Sequence, residues 1–294
     1  MSTIADTRDA TSRAVGERGR YLVPIYPSIM IGIFFIIPFA LIITLSLAHQ
    51  NPAGFHEPGF ELTHYKRFLT PIFINTAFFS LWVSTLVAVG CLVLGFPLTY
   101  VLTRFPRRIQ VPWLVFVLAM ISLSEVLIAF SWQVLLSKTA GLANVLVWLG
   151  LLERSVALYP GFGAVVFALV YLVLPFTVLI LYPPMSRLPP EFAEAARTLG
   201  ASPVRTFFTV IVPVLRPAIV ATGITVFVFT LGAILIPQVL GRPQHWTLSV
   251  LITDQAVFQS NLPFAAALAV FLLSLSMALV GLTLWIERRA GARA

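Results

Sequence analysis

Six long apolar runs limit what this chain can fold into more than any other feature of the sequence. They extend over about residues 22–48, 74–102, 111–136, 163–181, 218–240 and 264–286. A helix needs about 20 apolar residues to cross the hydrocarbon core of a bilayer, whereas the strands of a membrane barrel are shorter and alternate apolar with polar residues. The runs therefore predict an all-α, polytopic membrane protein with six transmembrane helices.

Basic residues fall mainly on one side of the predicted membrane. Of the 19 lysines and arginines, 14 lie in the tail 1–21, in the second and fourth connections and in the C-terminal tail 287–294. By the positive-inside rule these segments are cytoplasmic, which places both termini and the fourth connection, residues 188–217, on the inner side. The net charge of +8 then reflects topology and contact with anionic membrane lipid, and it indicates no nucleic-acid partner.

Patterns for catalysis and metal binding are missing from the sequence. It contains no GxxxxGK[ST] pattern for ATP phosphates, no HExxH pattern and no pair of cysteines, since the one cysteine, Cys91, lies inside an apolar run. The four histidines are scattered over predicted external loops. We therefore expect a chain that is not an enzyme, with no catalytic residue, no metal site and no cofactor of its own.

The polar connection 188–217 is predicted to form two short helices outside the bilayer. Glu191 and Glu194 fall in the first turn of the first helix, where they complement the positive end of its dipole. Gly200 can adopt the left-handed conformation that ends a helix. Ser202, followed directly by a proline, is predicted to cap the second helix. Such an elbow on one face of a membrane protein indicates a docking surface.

Glu125 is the notable ionisable residue within a predicted span. A straight helix from Val111 would place it about 21 Å from the cytoplasmic start, beyond the midplane. Trp132 shares its helix face at a spacing of seven residues. A carboxylate at this depth should face a cavity or a partner, so both residues are candidates for a substrate pathway. The alternatives for Glu125 are a structural hydrogen bond to another helix and a protonated acid near the outer interface. Asp254, in the last external loop, is a candidate for contact with cargo at the outer mouth. The alternatives are ordinary loop polarity and a docking surface for an external partner.

Within residues 188–217 the spacing of a few residues resembles a known signature. Glu194-Ala195-Ala196, then Gly200, then an apolar triplet ending in Pro213 resembles the EAA motif of type I ABC importer permeases, with Val210 and Val212 as apolar departures from the usual ending. Two further segments, Gly95 to Tyr100 before a basic turn and the run beginning Gly141-Leu142-Ala143-Asn144, resemble the first membrane subunit of spermidine/putrescine-type importers. Ile128 departs from that subfamily, which often has an arginine there.

This resemblance implies a fold, a site and a set of partners. The permease core would be residues 74–286, preceded by a first helix and external loop over residues 22–73. The chain would lie in the bacterial inner membrane and contact a cytoplasmic ABC ATPase dimer that binds ATP and Mg²⁺, a second homologous permease subunit and an external solute-binding protein. The residues implied in coupling to the ATPase are Glu191, Glu194, Ala195, Ala196, Leu199, Gly200 and Pro213.

The expected function is therefore half of the translocation pathway of an ATP-driven importer for a small solute. A polyamine is the favoured cargo, and an opine, another modified amino acid or ferric iron are alternatives. A competing hypothesis is an ATP-independent secondary transporter or channel, in which Glu125 would couple to protons or ions. Inverted repeats or broken helices with polar centres would favour that class, and neither is evident in the sequence.

Overall fold

The computed structural model describes residues 27–50, 56–57, 59–138, 141–150, 154 and 156–291. The predicted tail 1–21, the start of the first predicted span and residues 292–294 lie outside this part of the chain. The regular structure is helical apart from a short antiparallel pair, β1 (His49–Gln50) with β2 (His56–Glu57). The all-α prediction is confirmed.

Along the chain, long membrane-spanning helices are connected by short helices. They are α1 (Pro27–Ser46), α2 (Thr63–Phe68), α3 (Pro71–Arg104), α4 (Arg107–Ile121), α5 (Glu125–Leu135), α6 (Leu142–Trp148), α7 (Phe162–Ser186), α8 (Glu191–Thr198), α9 (Pro203–Val214), α10 (Arg216–Leu231), α11 (Leu235–Leu240), α12 (Leu248–Phe258) and α13 (Leu262–Gly291). A short 3₁₀ turn, Pro243–His245, precedes α12.

Four of these helices, α1, α3, α7 and α13, are long and apolar enough to cross a membrane. Two further spans are bent pairs of helices. The axis turns by 90° between α4 and α5 and by 74° between α9 and α10. If each bent pair counts as one span, the described chain has six spans, the number predicted from the apolar runs.

Two predicted spans are not continuous helices in the structure. The run 111–136 breaks at residues 122–124, and the run 218–240 ends its first helix at Leu231 and resumes as α11. The prediction of an unbroken third helix is therefore wrong. Packing supplies the reason, because Ile128 and Ala129 of α5 are buried among residues of α7 and α11 after the 90° turn.

The core lies where α3, α7 and α10 pack together. Small residues allow the close approach: a Cβ built on Gly95 would lie 2.9 Å from Cγ2 of Thr177, and one on Gly223 would lie 3.0 Å from a methyl carbon of Leu92. Small side chains at helix crossings are typical of membrane proteins, where dispersion forces between closely packed helices provide the attraction. The polar connection joins α7 to α10, two helices of this core.

The C-terminal end of α1 is tied to the rest of the chain by polar contacts. The apolar window of α1 is unburied along its length. Beyond it, the hydroxyls of Ser46 and Tyr65 lie 2.8 Å apart, and Nε2 of the buried His64 donates to the Ala48 carbonyl at 3.0 Å. The helix is thus anchored at one end and presents an apolar surface elsewhere.

Candidate functional site

Helix α8 lies against the second half of the polar connection through two alanines. Ala193 and Ala196, three residues apart, are buried, while Glu191, Glu194 and Ala195 are exposed. Because alanine has a small side chain, this face can approach the π-helical middle of α9 closely, and the two segments do pack together. The acidic residues occupy the first turn, as predicted, where they stabilise the positive end of the helix dipole.

Gly200 ends α8 in a left-handed conformation, with φ of +80°. The Ala201 N–H donates to the Ala196 carbonyl at 3.0 Å and the Gly200 N–H donates to the Arg197 carbonyl at 2.9 Å. These two bonds form a Schellman motif, which satisfies the last carbonyls of the helix. A Cβ at Gly200 would meet no atom within 4 Å. The requirement for glycine is therefore one of backbone conformation, and the structure confirms the predicted helix end.

The second helix begins at the predicted cap and is held by an aromatic anchor that the sequence analysis missed. The Ser202 hydroxyl accepts a hydrogen bond from the Arg205 N–H at 3.3 Å. Phe207 packs edge-on against Phe96 at 5.3 Å and Tyr100 at 5.2 Å between ring centroids. This contact fixes α9 to the end of α3. A phenylalanine in a polar connection outside the bilayer was the available signal for such an anchor.

Between α8 and α9 the surface forms an open groove with a volume of about 750 Å³. Glu191 and Arg205 lie on its walls together with Leu199, which is 88% exposed. Pro213 is exposed near the bend that leads into α10. The predicted coupling residues thus lie along one connection, and all of them except the buried Ala196 are exposed.

Glu125 is not in the middle of a straight helix, so its predicted depth of about 21 Å along such a helix is wrong. It is the first residue of α5, directly after the 90° bend. Its side chain is partly buried, and Oε1 is buried with no hydrogen-bond partner among the described residues. A buried carboxylate oxygen without a donor is destabilising by several kcal/mol in an apolar environment. The break therefore presents an acceptor that a cationic ligand could satisfy.

The other two candidates for the pathway lie in different surroundings. Trp132, two helical turns along α5 from Glu125, packs edge-on against Phe167 at 4.9 Å and Tyr171 at 5.4 Å. Asp254 lies in α12, which packs on α3 and α13, and its Oδ2 accepts a hydrogen bond from Gln259 at 2.7 Å. The structure thus places Glu125 and Trp132 on one helix and Asp254 on another.

Comparison with known proteins gives one family for this arrangement. The family of binding-protein-dependent transport system inner membrane components matches residues 74–291. The spermidine/putrescine transport system permease protein PotB of Salmonella typhimurium (strain SL1344) is 31% identical over 254 residues, which are 86% of this chain and 88% of PotB. PotB of Escherichia coli (strain K12) is 30% identical over 254 residues, 86% of this chain and 92% of PotB.

A solved structure has the same fold. A chain of a bacterial alginate ABC transporter, in complex with an alginate pentasaccharide-bound periplasmic protein, superposes with a TM-score of 0.71 and covers 94% of this chain and 96% of its own length. At 16% identity this likeness describes the fold alone. With the family match over most of the residues and PotB over nearly the whole chain, this multi-pass membrane protein belongs to the binding-protein-dependent transport system inner membrane components.

Proposed function

We propose that this chain is a permease subunit of an ATP-driven polyamine importer, the first of two homologous membrane subunits. The observation that carries the proposal is the α8–α9 elbow, with its Glu194-Ala195-Ala196 helix and left-handed Gly200, in a chain that matches PotB over 86% of its length. A second permease subunit completes the pathway, because six spans line only one side of it. An external binding protein delivers the cargo.

In the proposed mechanism α8 docks in a groove of the cytoplasmic ATPase, which binds ATP and Mg²⁺. Its exposed acids and Leu199 form the contact surface, while Ala193 and Ala196 transmit the movement into α9. Phe207 packs against Phe96 of α3, and this contact transmits the movement of α9 to the membrane-spanning helices. Nucleotide binding thereby shifts the equilibrium between two conformations of the permease. In this way the ATPase site and the cargo site are coupled. In this proposal the elbow and both termini are cytoplasmic.

The proposed cargo is a polyamine because the pathway candidate is an acid. Glu125 is the only carboxylate between residues 71 and 138, and its Oε1 is buried without a partner in the described chain. An ammonium group would supply the missing donor, and a hydrogen bond to a charged group is worth about 1.5–3 kcal/mol. PotB, the matching relative, is named for spermidine and putrescine transport. Trp132 would position α5 through its contacts with α7 rather than touch the cargo directly.

An ATP-independent secondary transporter is the alternative class, and the structure contains one feature that favours it. Two spans are broken, by 90° and 74°, and broken helices are common at the ion sites of secondary transporters. The 74° break, however, lies beside the α8–α9 elbow, and in the proposed mechanism it orients this connection toward the ATPase. Since the chain belongs to a binding-protein-dependent family, the importer is the better-supported function.

Reconstituted transport tests the proposal. The chain is co-expressed with the proposed second permease, ATPase and binding-protein subunits. Uptake of labelled spermidine is then measured in proteoliposomes with and without ATP on the side of the ATPase. We expect uptake only with ATP, and Glu194→Gln should reduce it while the chain stays in the membrane. Spermidine uptake that continues without ATP would contradict the importer, and ATP-driven uptake of a neutral sugar with no response to spermidine would contradict the polyamine.

A further inference from the structure

An apolar cleft, distinct from the α8–α9 groove, opens between helices of the membrane-spanning part. It has a volume of about 240 Å³ and is lined by residues of α3, α4 and α7 with almost no polar surface. The lining includes Leu98, Phe105, Trp113, Met120 and Pro175. Helix α4 forms the outer wall, and Val117 is its one buried residue. The cleft therefore lies within the membrane-spanning part of the chain and is open at its side.

A basic turn closes one end of this cleft. Phe105, which lines the cleft, stands in the turn between α3 and α4, and three exposed arginines surround it in sequence: Arg104, Arg107 and Arg108. Over the described residues, none of the three forms an ion pair with a carboxylate. Arg104 stacks on Tyr100 with its guanidinium carbon 4.9 Å from the ring centroid. The turn thus carries three positive charges without a negative partner.

The turn is held in place by polar contacts, so the charges keep their position relative to the cleft. The Gln110 side-chain amide donates to the Phe105 carbonyl at 2.7 Å, and the Tyr182 hydroxyl donates to the Gln110 amide oxygen at 2.6 Å. These bonds tie the turn to α4 and α7 at the point where the apolar lining begins. The site is a fixed combination of a cationic rim and an apolar interior.

We propose that this cleft binds an anionic phospholipid, with one acyl chain against Trp113 and Met120 and the phosphate at the basic turn. The dimensions agree. From Arg107 to Trp113 an α-helix rises about 9 Å, and from Trp113 to Met120 about a further 10 Å, so headgroup and upper chain fit within one leaflet of a core about 30 Å thick. Charge complementarity selects the lipid class, because basic pockets between helices attract anionic headgroups. This inference does not depend on the transported cargo.

Fluorescence quenching tests the site in the full chain with its partner subunits, reconstituted in nanodiscs of phosphatidylcholine. Brominated phosphatidylglycerol or brominated phosphatidylcholine is added at increasing mole fraction. The signal of Trp113 is obtained as the difference between the chain and Trp113→Phe. We expect half-quenching of Trp113 at a mole fraction at least about fivefold lower for the anionic lipid, since each nearby arginine contributes about a fivefold preference.

Matched variants separate a site from a general attraction to the membrane surface. Arg107→Gln should raise the half-quenching fraction of the anionic lipid about fivefold, whereas Arg187→Gln, an exposed arginine after α7, should not. Trp82, 61% exposed on α3, should be quenched equally by both lipids. Three results would each overturn the proposal. The first is equal quenching of Trp113 by both lipids, and the second is an equal effect of the two arginine variants. The third is a Trp113 that neither lipid quenches because a partner subunit covers the cleft.

Discussion

The two bends of the membrane spans have different origins. The 74° bend between α9 and α10 lies at Leu215, between Pro213 and Pro217. The 90° bend between α4 and α5 lies within the sequence Ile-Ser-Leu-Ser-Glu of residues 121–125, which contains neither proline nor glycine. The sharper bend is therefore the one without a local helix breaker, and it carries Glu125.

The difference separates local from tertiary causes of backbone shape. A proline removes a helical hydrogen bond and its ring clashes with the preceding turn, so the bend at Leu215 follows from the sequence. At residues 122–124 the local contribution is small: the Ser122 hydroxyl donates to the Leu118 carbonyl at 3.1 Å, an interaction that only slightly weakens a helix. Burial of Ile128 and Ala129 against α7 and α11 fixes the direction of α5. The α8–α9 elbow is locally encoded, whereas the proposed cargo site at Glu125 depends on packing.

The largest expected effect comes from breaking the elbow at Gly200. Gly200→Val forces a β-branched residue into a left-handed conformation with φ of +80°, which is unfavourable by about 1–3 kcal/mol. In the proposed mechanism α8 must keep its angle to reach the ATPase, so we expect ATP-driven uptake to fall by up to about a hundredfold. Uptake in proteoliposomes and the amount of co-purified ATPase are the measurements.

Gly150 provides the matched control for Gly200. It is exposed, has a φ of +72°, and a Cβ there would also meet no atom within 4 Å. Gly150→Val therefore introduces the same kind of backbone strain outside the elbow, and uptake should stay close to that of the unmodified chain. Equal losses in both variants would show that strain in itself, rather than the geometry of α8, limits transport.

The second prediction concerns the bend that depends on packing. Glu125→Gln keeps the size of the side chain but removes its charge, so the contact with a cargo ammonium weakens by about 1.5 kcal/mol or more. We expect the KM for spermidine uptake to rise at least about tenfold, with ATPase co-purification unchanged.

The control for Glu125 is an acid remote from the pathway. Glu61 is hydrogen-bonded to Thr63 and His49, and these bonds lower the pKa of its carboxyl. Its Oε2 lies 2.6 Å from Nδ1 of His49, in the connection between α1 and α3. Glu61→Gln should leave the KM unchanged. A KM that responds equally to both variants, or to neither, would remove Glu125 from the cargo site and leave it as a structural residue.

A smaller effect should follow from removing a local cause of the 74° bend. Pro213→Ala restores an N–H that could donate to the Thr209 carbonyl, a helical bond worth about 1 kcal/mol. We expect the angle between α9 and α10 to open and uptake to fall about threefold. Spin labels on α8 and α10 would measure the angle by pulsed dipolar spectroscopy. Pro203→Ala is the control, because at the first turn of α9 the missing N–H has no helical acceptor.

Features with a local cause could be predicted from the sequence, whereas features that depend on tertiary packing could not. The helix end at Gly200 and the cap at Ser202 depend on neighbouring residues, and the span count depends on continuous apolar runs. The structure confirms the two helix features, and it contains six spans if each bent pair counts as one. The 90° bend and the anchor of Phe207 on Phe96 depend on residues about 40 to 110 positions away. Apolar periodicity cannot distinguish two short helices from one long helix when both are equally apolar. Contacts between spans decide that question.

The smallest expected effect tests whether the 90° bend is permanent. Ser124 precedes α5 with φ of −65° and ψ of 136°, a conformation that a proline ring allows. If the break persists through the transport cycle, Ser124→Pro should change uptake by less than about twofold, since no interior helical bond is lost. Thermal unfolding of the purified chain should be similarly unaffected.

Ala129→Pro supplies the contrast. Ala129 is fully buried in the interior of α5, where a proline is destabilising by about 3 kcal/mol or more and should prevent stable assembly. If Ser124→Pro instead abolishes uptake while the protein remains folded, α4 and α5 must join into a straight helix at some stage of the cycle. In that case Glu125 would move along the pathway as the bend straightens, and the proposed cargo site would exist only in the bent state.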